Sequence, residues 1–62
     1  MTTQIKQKLI RLWAEKRSHK GYRETYYNYI NAEYKHTPIF EITLIMLKDG
    51  VSEEEIERVI ND

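Results

Sequence analysis

Apolar positions recur at helical spacing in four stretches of this chain, and Gly, Pro and Ser separate them. Near the start, Ile5, Leu9, Leu12 and Trp13 fall at i, i+4, i+7 and i+8. They share one face of a helix over about 4–19, which Ile10 widens. Thr2 or Thr3 is the expected N-cap, and Gly21 ends the helix or bends the chain after it. Tyr22, Tyr26, Tyr29 and Ile30 keep the same rule over 22–35. Tyr27 and Tyr34 lie along the edge of that stripe, and Asn28 and Asn31 fall opposite it. Tyrosine is not a strong helix former and the run TYYNYI also suits a strand, so this stretch stays open between the two, with helix favoured.

The third stretch organises the chain. Ile39, Phe40, Ile42, Leu44, Ile45, Met46 and Leu47 cover nearly the whole circumference of a helix, interrupted only by Glu41 and Thr43. Phe40, Ile42, Leu44 and Met46 also alternate as a strand would. The ends decide for a helix over 38–48: Thr37 can cap, Pro38 suits the first helical position, Lys48 suits the last turn, and Gly50 supplies a left-handed close. A helix apolar all round is expected at the centre of a fold, covered on several sides. The fourth start is the clearest. Ser52 and Glu55 have capping-box spacing, and Val51 and Ile56 have hydrophobic-staple spacing. Glu53, Glu54 and Glu55 place negative charge at the positive end of the helix dipole. Ile56, Val59 and Ile60 form its apolar stripe, and the helix runs to about Ile60.

These elements predict an all-α fold, a small three- to four-helix bundle forming a single helical domain over 1–62 and ending in an αα-hairpin. Ile45, Gly50, Val51, Ile56 and Val59 match the apolar, turn and buried positions of a helix-turn-helix, so the hairpin resembles that motif of DNA-binding regulators over about 20 of the 62 residues. Met46 stands where that motif usually has a small residue, and Asp49 where it usually has an apolar one. The surface of the second helix reads Ser52, Glu53, Glu54, Glu57 and Arg58, and glutamates there would repel phosphate. The resemblance therefore implies the hairpin geometry without the reading function.

Composition narrows the class. A chain of 62 residues buries a modest core, and the absence of cysteine rules out a disulfide or a cysteine-based zinc site as its staple. Tight helix packing or self-association must serve instead, and the apolar and tyrosine content favours a homodimer. The N-terminus is polar and basic through Arg11, unlike a signal peptide, and no apolar run approaches the ~20 residues that cross a bilayer, so the expectation is a soluble cytoplasmic protein with no membrane contact. Net charge is zero but unevenly spread. Residues 1–23 carry seven cations (Lys6, Lys8, Arg11, Lys16, Arg17, Lys20, Arg23) against Glu15 alone, a balance of +6. Residues 24–62 carry three (Lys35, Lys48, Arg58) against nine acids, a balance of −6. Such a split serves either an acidic partner or the attraction of one half for the other.

Candidate chemistry is sparse. Glu33 and His36 have the spacing of one di-iron ligand pair, but no second pair or HExxH accompanies them, so they read as surface residues and neither metal nor cofactor is expected. Ser18 and His19 are neighbours that do not face each other on a helix, and Gly21 and Gly50 make no phosphate loop. An enzyme is not expected. Tyr26, Tyr29 and Ile30 are assigned to the core by their spacing, while Tyr27 and Tyr34 stand equally for core and for a recognition surface.

The reading is a small protein-binding module, a regulator, adaptor or inhibitor of a size that suits phage or plasmid accessory proteins. It would occupy a partner's surface through Tyr27, Tyr34, Glu53, Glu54 and Glu57. The alternative is a nucleic-acid-binding regulator that holds phosphates with Lys8, Arg11, Lys16 and Arg17 of the basic first helix and with Lys20 and Arg23 that follow it.

Overall fold

Four helices follow one another in the computed structural model, which describes residues 2–18 and 21–61, the side chains of Thr2 and Thr3 excepted. They are α1 (Thr2–Arg17), α2 (Arg23–Glu33), α3 (Ile39–Lys48) and α4 (Glu53–Asn61). No strand occurs among the described residues, so the tyrosine-rich stretch is helical. The expected caps at Thr2 or Thr3, together with His19 and Lys20, lie outside what is described. The Cα radius of gyration is 10.7 Å, against about 10.6 Å for a compact chain of this length.

The α3–α4 connection is built as its residues dictate. Gly50 takes φ +101°, a left-handed value that a side chain would resist. Around it the Val51 N–H donates to the Met46 carbonyl at 3.0 Å and the Gly50 N–H to the Leu47 carbonyl at 3.1 Å. This is the Schellman closure, and its end residues Met46 and Val51 are both buried. Two residues beyond Gly50 the next helix is already capped: the Glu55 N–H donates to Ser52 Oγ at 3.1 Å, and the Ser52 hydroxyl donates to Glu55 Oε1 at 3.1 Å. Val51 and Ile56, the staple pair, are both in the core. The opening of α3 differs from expectation. Pro38, with extended backbone (φ −68°, ψ 156°), is itself the N-cap residue; Thr37 makes no cap bond, and its N–H donates to the Tyr34 carbonyl at 3.1 Å.

The larger correction concerns the centre. The all-round apolar α3 was expected there, but the helix that packs against all three others is α1. It is the longest element and contributes Leu9, Ile10, Trp13 and Ala14 to the core, with Ile5 and Leu12 at its margin. From α3 only Ile42 and Met46 are fully buried, while Phe40, Leu44 and Leu47 remain 66%, 56% and 39% exposed. The physical reason is supply. Three short neighbours cannot cover every side of a fourth helix, so the helix with the deepest continuous arc takes the middle and α3 keeps a bare face.

The tyrosine face is also rotated from the expected one. Ile30 is buried and Tyr26 half-buried as expected, but Tyr29 is 59% exposed. Tyr27 and Tyr34 instead pack against the core, at i, i+3 and i+7 with Ile30. With four bulky residues in the five positions 26–30, the sequence fits two neighbouring faces almost equally. Contacts offered by α1 decide between them.

Because space around Gly50 is open, any cost of adding a Cβ there comes from backbone conformation alone. Gly50→Ala is expected to destabilise the fold by about 1–2 kcal/mol and lower the melting temperature by roughly 4–8 °C or more. Thermal unfolding followed by far-UV circular dichroism checks this, and an unchanged midpoint would rule out the left-handed turn.

Candidate functional site

The basic helix α1 meets the C-terminal half through a short row of polar contacts. Trp13 is 1% exposed, and a buried indole N–H needs an acceptor. It donates to Asp49 Oδ2 at 2.7 Å. The same oxygen lies 3.4 Å from Arg17 Nε. Asp49 closes α3 as its C-cap residue, where a negative charge opposes the helix dipole, and the two donors from α1 offset that cost. Tyr34 packs against the same indole, its ring centroid 5.1 Å from that of Trp13 with the planes tilted by 41°. One turn further, Lys16 Nζ pairs with Glu55 Oε2 at 2.9 Å. At the opposite end of α1, Lys6 Nζ donates to the Lys35 carbonyl at 2.7 Å and ties α1 to the segment after α2.

These contacts account for part of the uneven charge. Of the first-helix cations named as candidates for phosphate binding, Lys16 and Arg17 are engaged with Glu55 and Asp49, and the Arg11 guanidinium lies 4.5 Å from the centre of the Tyr27 ring. Lys8 and Arg23 are exposed, and Lys20 lies outside the described residues. Of the candidates for protein binding, Tyr27 and Tyr34 are partly buried by the contacts just given. Glu53, Glu54 and Glu57 are exposed on α4. The freely presented tyrosines are Tyr22 and Tyr29, at 61% and 59% exposure.

Spacing arguments did not single out the bare face of α3. Phe40, Leu44 and Leu47 stand at i, i+4 and i+7, so they form one stripe, and all three are exposed. The available signal was an apolar circumference too wide for the number of neighbouring helices. At the N-terminal end of this stripe, a groove of about 670 Å³ opens between α1, α2 and the start of α3. Lys6, Lys35, Pro38, Ile39 and Phe40 are among its lining residues, which include no carboxylate, imidazole or thiol. Glu33 and His36 are both exposed, and no group of three or more His, Asp or Glu side chains is placed to hold a metal among the described residues. No described helix is long and apolar enough to cross a membrane.

The Glu55 carboxyl is held below the usual carboxylate range, chiefly by the hydrogen bond from Lys16, against the opposing effect of desolvation and with further help from Ser52. A folded state that binds this proton less readily than the unfolded chain gains stability above the unfolded value near 4.5 and loses it as pH falls through the lower folded value. Glu55→Gln is therefore expected to flatten the acid limb of the stability–pH curve below about pH 4.5, read from urea midpoints at a series of pH values. Asp49→Ala leaves the Trp13 N–H and Arg17 without their acceptor and is expected to cost about 1–2 kcal/mol. Asp49→Asn, which keeps an acceptor oxygen, should cost less, and equal losses would show that the hydrogen bond to Trp13 is unimportant.

Comparison with protein-family models, with curated proteins and with solved structures finds no match for this chain.

Proposed function

We propose that this chain is a small non-enzymatic protein-binding module, a regulator, adaptor or inhibitor that acts by covering a surface of its partner. One observation carries the reading: the stripe of Phe40, Leu44 and Leu47, left exposed along one face of α3. Exposed apolar side chains placed singly need no explanation, but three in register on one helix are the usual anchors of helix-mediated recognition. The exposed acids Glu53, Glu54 and Glu57 supply a second, electrostatic surface. Their role is to speed the approach of a basic partner and to discriminate against acidic ones. Tyr22 and Tyr29 add rigid contact area on α2. A cytoplasmic setting suits such a module.

The alternative, a nucleic-acid-binding regulator, would rest on Lys8, Arg11 and Arg23, the candidate cations of the first half that remain exposed outside ion pairs among the described residues. It draws less support, because Lys16 and Arg17 already have carboxylate partners, and breaking those pairs would weaken the seat of α1.

Two measurements separate these readings. Titration of a labelled nonspecific DNA duplex at several salt concentrations is expected to show no tight binding. Binding at low salt that falls steeply with added salt would favour the nucleic-acid reading instead. For the protein-binding reading, wild-type and Leu44→Glu baits are compared in affinity capture from cell extract. Proteins retained by the wild type are expected to be lost from the variant, and an identical set on both baits would overturn the role of α3. For any basic partner so identified, reversing Glu53, Glu54 and Glu57 to lysine should slow association and invert its salt dependence while changing dissociation little.

A further inference from the structure

The α3 stripe carries a charge pattern that identifies its occupant. Glu41 and Lys48 are both exposed and are seven residues apart, so they lie on the same flank of the helix, only about 20° out of register. They bracket the apolar stripe: Glu41 follows Phe40 at one end, and Lys48 follows Leu47 at the other. The midpoint between the two charges falls beside Leu44, the middle residue of the stripe. A helix face with an apolar centre, a negative charge at one end of a flank and a positive charge at the other end is complementary to itself turned end for end.

We propose that α3 pairs antiparallel with α3 of a second copy of this chain about a twofold axis beside Leu44. This deepens the reading of α3 as a protein-binding face and rests on it. The twofold axis keeps a given flank on the same side of both helices and reverses their direction. Glu41 therefore meets Lys48 of the partner subunit, and Lys48 meets the partner subunit's Glu41. Leu44 packs on its own counterpart at the axis, and Phe40 covers Leu47 of the partner subunit. A parallel pair would place the two charged flanks on opposite sides of the seam, where neither charge finds its complement. A wholly acidic or wholly basic foreign helix would match one of the two charges and be repelled by the other. The self-pairing satisfies both, with no need for a partner of matched sequence. The seam is short, so it lies at the small end of protein interfaces and the association is weak and reversible.

Sedimentation equilibrium over about 1 µM to about 1 mM covers the range expected for so small an interface. The wild type is expected to pass from monomer to dimer within it. Leu44→Glu, at an exposed site that leaves the core untouched, should remain monomeric while keeping the wild-type circular dichroism spectrum. Glu41→Lys and Lys48→Glu should each weaken self-association about 10-fold, because like charges then meet across the axis. An equimolar mixture of those two variants should form a heterodimer at least as tight as the wild-type dimer, since every flank contact is again between opposite charges. A wild type that is monomeric throughout would overturn the proposal, as would a dimer indifferent to Leu44→Glu or a mixture no tighter than either variant alone. The capture comparison with the Leu44→Glu bait is independent of these results. A monomeric wild type whose partners are still lost from that bait would sink the self-pairing and leave the protein-binding reading standing.

Discussion

The bond from the Trp13 indole to the Asp49 carboxylate is the constraint around which this fold closes. Trp13 is the largest side chain in the core and sits on the helix that touches every other. Its N–H must be satisfied as the ring is buried, and the acceptor comes from the end of α3, 36 residues along the chain. Asp49 is otherwise badly placed, since it puts negative charge at the negative end of a helix dipole. The two misplacements resolve each other: a buried donor and an unfavourably sited acceptor meet at one oxygen, with Arg17 beside it. Moving α1 by a turn would leave both uncompensated.

The contrast between the basic first half and the acidic second half has a structural component. Lys16 and Arg17 reach Glu55 and Asp49 across the α1–α4 and α1–α3 seams. These pairs are partly exposed and individually worth little at ordinary salt. Their value lies in register, because they sit on the side of α1 adjacent to the buried Trp13 and discourage rotations that the apolar arc alone would tolerate. Among the charges outside these pairs, Glu53, Glu54 and Glu57 face water together on α4.

Local chemistry was legible from residue order and long-range choice was not. The α3–α4 connection could be read almost atom by atom, because a left-handed glycine and a capping serine act on their immediate neighbours. The four helices were legible for the same reason, to within a few residues at each end. What the order of residues underdetermined was which arc of an ambiguous helix turns inward. Tyr29 and Tyr27 are near-equivalent by spacing, and only the position of Arg11 and Trp13 on α1 favours Tyr27 and Tyr34. The wide apolar surface of α3 was visible as composition, yet its burial depended on how many helices were available to cover it. Asp49 was visible only as a departure from the helix-turn-helix pattern, and its reason lies on a different helix.

The indole that closes the fold also reports on it. The chain holds a single tryptophan, enclosed by the core, hydrogen-bonded to a carboxylate and in contact with a tyrosine ring. Its emission spectrum and lifetime therefore sense the seating of the first helix on the end of the third, without a label. Events confined to the exposed face of α3 leave that environment intact, so the protein carries an optical signal that separates opening of its own fold from contact with another molecule.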